Sequence, residues 1–239
     1  MWGNTTPWAM IDPLRWRSRA ILLLIPTTAT GGDPDPHHCV VGGVALASCF
    51  GHSATDATAP LQAALDSGAS TVVIDAPRGR AVWPVRPLQL RRSNLRVLLR
   101  EGVVVEAVRG SFRGPNDSLL TATNVTNASL VGMPGAALAM HRSDYANSSL
   151  YSKSEHRMAL QLLGVRGFLL SGLVLRDSGG DGVYISESAG APSENVRIAN
   201  CTCLRNFRQG MSVISARNLT VEHTVFADTA GTPPEAGVE

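Results

Sequence analysis

The stretch DSGGDGVYIS, from Asp177 to Ser186, places a carboxylate in a glycine-rich turn directly before an alternation of apolar and polar residues. Val183 and Ile185 alternate with hydroxyl-bearing residues, which predicts a strand with one buried face. Asp181, at the lip of that strand, has the chemistry of a general acid or base. On the fragment alone, an aspartate that bonds to its own turn backbone is the favoured interpretation. Asp181 is still the leading site candidate, because the predicted fold has no other evident need of it.

The last third of the chain contains three segments of similar pattern: GFLLSGLVLRDSGGDGVYIS, NVRIANCTCLRNFRQGMSVIS and NLTVEHTVFADTAGTPPEAGVE. The aligned positions are Phe168, Val196 and Leu219; Leu170, Ile198 and Val221; Leu175, Cys203 and Phe226; and Gly182, Gly210 and Gly237. A β-rich repeat of about 23–28 residues predicts a solenoid in which each segment forms one coil around an aliphatic core. Equivalent residues of successive coils would then lie about 4.8 Å apart.

One row of equivalent positions contains Asp177, Arg205 and Asp228. Stacked coils would place the two carboxylates about 9.5 Å apart, because they are separated by two coils. That distance is near the upper limit of about 6.5–9.5 Å for the carboxyl pair of an inverting glycosidase. A charge ladder on a solvated turn, which contributes little, is the slightly favoured alternative.

A second row is predicted on the outward face of one sheet. The row contains Tyr184, Ser212 and Glu239. Asp181, Arg208 and Gln209 lie at its rim. This set suits acid–base catalysis or the binding of a sugar carboxylate by a bidentate arginine. The structural alternatives are surface packing for Tyr184, a salt bridge to Asp181 for Arg208, and a turn hydrogen bond for Gln209.

A polar insertion, RSDYANSSLYSKSEHR, extends from Arg142 to Arg157 between two β runs. Its candidate substrate-binding residues are Tyr145, Tyr151, Lys153, Glu155 and His156. A polar loop on a rigid solenoid is suited to form the wall of a binding groove, with tyrosines that stack on sugar faces. A flexible, glycosylated surface loop is an equally good interpretation.

One helix is predicted between Thr58 and Gly68, with Thr58 as N-cap, Pro60 in the first turn and Gly68 at the end. The helix TDATAPLQAALDSG, the following VVID and the run RSNLRVLLREGVVVEA resemble the amino-terminal entry of right-handed parallel β-helix proteins of the pectin-lyase superfamily. The segments SGGDGVYIS and RNFRQGMSVISARNLTVEHTVFADTAGTPPEAGVE are similar to uncharacterised secreted members of that group. The resemblance covers about residues 50–239.

The resemblance implies an all-β fold: a right-handed, single-stranded parallel β-helix with a short N-terminal capping helix. The superfamily includes lyases, hydrolases and epimerases of acidic polysaccharides, and also adhesins and phage tailspikes, so the fold alone does not define a reaction. The NTD and GHG motifs of polygalacturonases do not occur here, which counts against simple pectin hydrolysis.

Two functional hypotheses follow. The first is a secreted enzyme that cleaves or modifies an acidic polysaccharide. In a lyase, Arg208 would neutralise the uronate, and a base from the insertion (Lys153, His156 or Tyr151) would take the C5 proton. In a hydrolase, Asp181 would pair with Asp177 or Glu239. The second hypothesis is a non-catalytic glycan-binding or structural cell-surface protein.

No cofactor is required by either hypothesis. Calcium is possible, since lyases of the superfamily often use it, although no acidic cluster in the sequence demands it. His37, His38 and Cys39 resemble metal ligands, but no second ligand pair at zinc-like spacing accompanies them, so no metal site is predicted. The formal charge of +2 over 239 residues and the scattered arginines do not indicate a nucleic-acid partner.

Residues 1–30 are interpreted as a signal peptide or a disordered N-terminus, and residues 31–239 as the β-helix domain. Arg15, Arg17 and Arg19 precede the apolar run ILLLI, and small residues follow it. The run is too short to span a bilayer.

Further features favour secretion. Beyond Asn4, sequons for N-glycosylation occur at Asn116, Asn124, Asn127, Asn147, Asn200 and Asn218. Cys39 and Cys49 are suited to a disulfide, whereas Cys201 and Cys203 are expected to be core thiols.

The printed sequence ends at Glu239, which is in the middle of a predicted strand by analogy with Tyr184 and Ser212. No cap is recognisable after it, and an open coil would expose backbone and core. The expectation is therefore a fragment that lacks its final coils.

Overall fold

Short strands and tight turns alternate through residues 36–239, the part of the chain that this computed structural model describes. The predicted signal segment, the sequon at Asn4 and the side chain of His37 lie outside the described part. The strands β1 (Val40–Val41) and β2 (Val44–Leu46) form an antiparallel pair, and the helix α1 (Thr58–Asp66) follows them.

Six coils come after α1, and most of them contribute three strands. The first three coils contain β3 (Thr71–Ile74), β4 (Val82–Val85) and β5 (Leu88–Leu90); β6 (Arg96–Leu99), β7 (Val104–Ala107) and β8 (Leu120–Thr123); and β9 (Thr126–Gly132), β10 (Ala137–Ala139) and β11 (Leu160–Leu163). The last three contain β12 (Arg166–Ser171), β13 (Val174–Arg176) and β14 (Val183–Ser186); β15 (Ser193–Ala199), β16 (Thr202–Leu204) and β17 (Met211–Val213); and β18 (Ala216–Glu222) and β19 (Val225–Ala227).

The strands assemble into three sheets, in which successive coils pair in parallel. Sheet A has the order β1-β2-β3-β6-β9-β12-β15-β18, sheet B has β4-β7-β10-β13-β16-β19, and sheet C has β5-β8-β11-β14-β17. The predicted all-β, right-handed, single-stranded parallel β-helix is confirmed.

The predicted alignment of the coils is also confirmed by the strand register. Phe168 pairs with Val196, which pairs with Leu219, and the other two apolar rows pair in the same way. Inside sheet A, equivalent aliphatic side chains form one stack through six coils: Val72, Val97, Leu130, Leu170, Ile198 and Val221. The first five of these side chains are buried, so each coil covers the apolar side of its neighbour.

The N-terminal end of the core is covered by α1. Its predicted apolar stripe, Leu61, Ala64 and Leu65, is buried against the first coil. The predicted N-cap was wrong by one residue, because Ala57 is the cap position. The amide of Thr58 donates instead to the Asp56 carboxylate at 3.0 Å.

One apolar run is divided between two strands. The sequence FLLSGLVL, from Phe168 to Leu175, has the composition of a single strand, but Gly172 has φ +71° and turns the chain from sheet A into sheet B. A side chain at Gly172 would collide with the carbonyl of Gly132 in the preceding coil, so glycine is required for the coils to stack.

The predicted disulfide is present, with Cα atoms of Cys39 and Cys49 5.5 Å apart. Cys201 and Cys203 are buried free thiols, as expected. The prediction that further coils follow Glu239 stays a prediction.

One side of the molecule is formed by connections that follow strands of sheet B: residues 108–119, 140–159, 177–182, 205–210 and 228–237. All but the last lead to a strand of sheet C, and we call this side the B–C edge. Every predicted catalytic residue lies on this edge or beside it, so the stacking of the coils brings residues distant in sequence together.

Candidate active site

The glycine-rich turn at 177–182 supports the polar insertion of the preceding coil. A Cβ atom at Gly179 would lie 2.5 Å from a ring carbon of Tyr145, and one at Gly180 would lie 2.8 Å from the sulfur of Met158. Arg157 and Gly179 also form an antiparallel bridge. The two glycines therefore allow the insertion to pack directly on the backbone of the turn that precedes Asp181.

The insertion is held by packing rather than exposed for sugar stacking. Tyr151 is only 4% exposed, and its ring meets the Tyr145 ring edge-to-face at 5.1 Å. Burial raises the pKa of Tyr145. The guanidinium of Arg157 lies against both rings, at 5.3 and 5.8 Å, and its side chain is fully buried. The two predicted sugar-stacking residues are thus packing partners of an arginine that the sequence analysis did not consider.

Three carboxyl groups surround the Arg208 guanidinium. Its Nη2 lies 3.1 Å from Glu239, its Nη1 lies 3.4 Å from Asp181, and its Nε lies 3.8 Å from Glu155. These residues come from the B–C edge of three coils and from the segment after it. We call Glu155, Asp181, Arg208 and Glu239 the carboxylate cluster.

The members of the carboxylate cluster differ in exposure. The Asp181 side chain is fully buried and that of Arg208 is 16% exposed, whereas those of Glu155 and Glu239 are 40% and 50% exposed. One oxygen of Asp181 is buried with no hydrogen-bond partner within the described part of the chain. A solvent-facing pair of carboxylates thus lies above a buried carboxyl group.

Burial raises the pKa of Asp181 to about 6. A hydrogen bond from Ser212 and the positive charges of Arg208 and His156 act in the opposite direction, while Glu239 adds to the increase. The net result is a carboxyl group that is partly protonated in mildly acidic solution, which is the property of a general acid.

Two polar residues connect the carboxylate cluster to the next coil. Gln209 donates its side-chain amide to Glu239, and the Ser212 hydroxyl donates to Gln209. Ser212 has a single hydroxyl proton, so it donates either to Gln209 or to Asp181. Both residues are fully buried, so they fix the position of Glu239.

The predicted outward row of sheet C is present. Tyr184 pairs with Ser212, and the bridge between Met211 and Val238 brings Glu239 beside Ser212. The row also extends away from the cluster through Gln161 and Thr121, which the sequence analysis did not single out. Tyr184 is half-buried in this row.

Asp177 lies outside the carboxylate cluster. Arg205 binds both of its carboxylate oxygens at 2.8 Å, and Arg176 binds one at 2.9 Å. Partial burial alone would raise the pKa of Asp177, but the hydrogen bonds from the two arginines outweigh it and lower the pKa below its usual range. Asp228 in the following coil acts on Arg205 through its charge alone, so within the described residues the ion pairs of the predicted Asp–Arg–Asp row are those of Asp177 with Arg205 and Arg176.

The remaining site candidates are exposed. Lys153 and His156 are on the surface of the insertion, and only His156 acts on the carboxylate cluster, through its charge. No group of three or more His, Cys, Asp or Glu residues that could hold a metal ion occurs in the described part of the chain.

All six described sequon asparagines are exposed: Asn116, Asn124, Asn127, Asn147, Asn200 and Asn218. Asn127 and Asn218 lie in strands of sheet A, Asn124 and Asn200 lie beside its strands, and Asn116 and Asn147 are on the B–C edge. Among the helices of residues 36–239, none is long and apolar enough to cross a membrane.

The fold is that of pectate-lyase-like parallel β-helix proteins, as the sequence resemblance implied. An iota-carrageenase solved with iota-carrageenan fragments matches with a TM-score of 0.58 and 15% identity, over 80% of this chain and 44% of that protein. An iota-carrageenase from A. fortis matches with a TM-score of 0.54 and 16% identity, over 72% of this chain and 37% of that protein. A polygalacturonase from Erwinia carotovora ssp. carotovora matches with a TM-score of 0.51 and 17% identity, over 83% of this chain and 64% of that protein.

The chain thus spans less than two thirds of the length of each of these three proteins. At such identities the likeness shows the fold alone. No protein-family model matches the chain, and no curated protein sequence matches it.

Proposed function

We propose that this protein is a β-helix glycoside hydrolase that acts on an anionic polysaccharide. The observation that carries the proposal is the pairing of a buried, partly protonated Asp181 with a solvent-facing Glu239 on one guanidinium. Glycosidases use two carboxyl groups in different ionisation states, and different environments produce that difference.

The charges around Arg208 favour hydrolysis over β-elimination. A lyase needs a cation that is free to neutralise the uronate carboxylate, but Arg208 is already surrounded by three carboxyl groups. An added uronate would meet a region of net negative charge. The same surroundings suit a hydrolase, in which one carboxyl group donates a proton and another assists the attack of water.

In the proposed reaction, Asp181 transfers its proton to the glycosidic oxygen as the bond to the anomeric carbon breaks. Glu239, held by Arg208 and Gln209, either removes a proton from the attacking water or attacks the anomeric carbon itself. Asp181 has no exposed surface, so substrate must displace Glu155 or Arg208 from above it.

An extracellular location is part of the proposal. A disulfide joins Cys39 to Cys49, and the described sequons are exposed and open to glycosylation. Both features suit an oxidising secretory route. The proposed substrate class is that of the similar structures, which include carrageenases and a polygalacturonase.

A non-catalytic glycan-binding protein is the second candidate function. The complete burial of Asp181 favours it, because a proton donor must reach its substrate. A binding protein would use only the outward row of sheet C and the solvent-facing carboxylates.

Product analysis tests the proposal. The protein is incubated with polygalacturonate, iota-carrageenan and a neutral glycan, and both new reducing ends and unsaturated uronate products are measured. Reducing ends without unsaturated products are expected on an anionic substrate. Unsaturated products would indicate a lyase. Binding without new reducing ends on any of the three glycans would favour a non-catalytic glycan-binding protein.

A further inference from the structure

Two grooves adjoin on the N-terminal half of the B–C edge, away from the carboxylate cluster. One has a volume of about 750 Å³ and lies over β4 and β7 of sheet B. The other, of about 630 Å³, lies over the connection at residues 108–119. Arg109 lines both grooves, so they form one continuous surface, which we call the arginine groove.

Four guanidinium groups line the arginine groove. They belong to Arg80, Arg86, Arg109 and Arg113, whereas the acidic lining residues are Glu106 and Asp117. Cations are therefore in excess among the groups that face the groove.

Two of these arginines are positioned by aspartates behind them. Arg86 binds Asp56 at 2.7 Å, with 57% of the arginine side chain exposed against 35% for the aspartate. Arg109 binds Asp144, and 67% of the arginine side chain is exposed against 25% of the aspartate side chain. In each pair the carboxylate fixes the arginine from the protein side while the guanidinium faces solvent.

The other two arginines have no carboxylate partner within the described residues. Arg113 donates its Nε to the carbonyl of Gly110 at 2.8 Å, so its terminal nitrogens are left for a ligand. Arg80 is exposed at the opposite side of the groove. Guanidinium groups bind anions best, through charge-assisted bidentate hydrogen bonds. The four arginines of the groove are therefore suited to an anionic ligand.

The floor of the groove over sheet B is suited to a sugar ring. Val82, 42% exposed, provides an apolar surface in the groove, which the imidazole rings of His52 and His141 also line. His52 is held by the carbonyl of Val82 at 2.9 Å, and His141 by the carbonyl of Ala107 at 2.7 Å. Both rings are thereby fixed as walls beside an apolar floor, which fits a pyranose better than a free inorganic anion.

We propose that the arginine groove is an accessory glycan-binding site that takes the sulfate or carboxylate groups of an anionic polysaccharide. The inference rests on the proposed function for the identity of the polymer, and it solves a difficulty of that function. The carboxylate cluster has three acids around one cation, so it does not hold an anionic polymer by charge. The arginine groove supplies the attraction on the same edge, mainly from the coils that precede the carboxylate cluster.

The test compares binding by two double variants. Arg80→Ala/Arg113→Ala removes the unpaired cations of the groove, and Arg78→Ala/Arg217→Ala removes two exposed arginines that line neither groove. Dissociation constants are measured for iota-carrageenan, polygalacturonate, neutral dextran and a single-stranded oligonucleotide, with melting temperatures as the check on folding. The single variants Arg80→Ala and Arg113→Ala are measured in parallel, in case the double variant is poorly folded.

We expect the groove double variant to lose about tenfold or more in affinity for one anionic polysaccharide, and the control variant to lose less than threefold. The anionic polymer that is preferred then identifies sulfate or carboxylate as the ligand group. Equal losses in both variants, no loss in the groove variant, no binding of either anionic polymer by the unaltered protein, or equal binding of the oligonucleotide would overturn the inference.

The variant Asp181→Asn separates this inference from the proposed function. Retained binding with lost cleavage supports both. If no glycan is cleaved by any form but the groove variant alone loses affinity, the accessory site stands and the hydrolase proposal fails. If cleavage depends on Asp181 while the groove variant binds normally, the hydrolase proposal stands and the accessory site fails.

Discussion

Asp177 and Asp181 are four residues apart in the same turn, yet their surroundings give them opposite ionisation behaviour. Asp177 receives three hydrogen bonds from two arginines at 2.8–2.9 Å, which lower its pKa. Asp181 is fully buried, has one arginine contact at 3.4 Å and keeps one oxygen without a partner, and its pKa is raised to about 6. Two identical side chains in one turn are therefore suited to different tasks.

The difference teaches that a candidate proton donor is distinguished by a buried carboxyl group whose hydrogen bonds are incomplete, rather than by the presence of an arginine. Asp177 has short contacts from two cations, which lower its pKa and favour its ionised form in a structural network. Asp181 has burial without full compensation, which keeps a proton within reach of neutral pH. The first arrangement stabilises the coil stack, and the second is suited to proton transfer.

The largest expected effect is the loss of activity in Asp181→Asn. An amide cannot donate the proton that cleavage requires, so kcat should fall by about 10²–10⁴-fold. Asp177→Asn is the matched variant from the same turn and should reduce kcat by less than tenfold, since Asp177 lies outside the carboxylate cluster. Similar losses in the two variants would remove the distinction between the two aspartates.

The next effect concerns the glycine that allows the insertion to cover Asp181. In Gly180→Ala the new methyl group would meet the Met158 sulfur and the backbone of Arg157 at 2.8 and 2.9 Å, so we expect about 2–4 kcal/mol of lost stability. The control Gly190→Ala, with φ +79° and nothing within 4 Å, should cost about 1–2 kcal/mol through backbone strain alone. Urea denaturation measures both, and equal costs would show that the insertion does not pack on this turn.

The two aspartates should also give opposite pH dependences of stability. The folded-state pKa of Asp181 is about 6, above the ordinary 3.8, so its contribution is fully present below about pH 4 and is lost as pH rises through 6. The difference between these two pKa values corresponds to a change of about 3 kcal/mol at most in the free energy of unfolding. Asp181→Asn should remove this decline in a urea titration repeated between pH 4 and 8, and an unchanged decline would assign it to another group.

The smallest expected effect is the stability lost in Asp177→Asn. Its pKa is lowered in the folded state, so the ionised carboxylate stabilises the fold above its unfolded pKa and this contribution is lost as pH falls. The side chain is 20% exposed and Arg205 is 42% exposed, so we expect only about 1 kcal/mol at neutral pH. A loss that grows as the solution is acidified would contradict the assignment.

Much of the fold could be predicted because it depends on short-range patterns and their repetition. The alternation at Val183 and Ile185 and the aligned glycines at 182, 210 and 237 are direct consequences of coil stacking. The division of the run at Gly172 was missed, because an apolar run contains no signal for the coil corner other than a glycine. The stacked carbonyl of Gly132 that requires this glycine is 40 positions earlier in the sequence.

The candidate site was predictable only in part. Glu239 was found because it aligns with Tyr184 and Ser212 of the preceding coils, and Arg208 and Gln209 were found because they lie at the rim of that row. Asp181 was found because the glycine-rich turn has no evident structural need of a carboxylate. Sugar stacking by Tyr145 and Tyr151 stays a prediction, and the contact of both rings with Arg157 and the burial of Tyr151 were not foreseen. A buried arginine has no signature in a polar stretch. The different surroundings of Asp177 and Asp181 could not be predicted, because they depend on which arginine of the next coil reaches which carboxylate.

The pH dependence of kcat/KM on a cleaved polysaccharide tests the central claim most directly, because it reports the ionisation of essential groups in the free enzyme. If protonated Asp181 is the acid, kcat/KM should fall as pH rises through about 6, and this limb should be absent from the residual activity of Asp181→Asn. A value of kcat/KM that rises with pH through the same range would show that the ionised form is required. Asp181 would then act as a base or not act at all, and the hydrolase mechanism proposed for this protein would be contradicted.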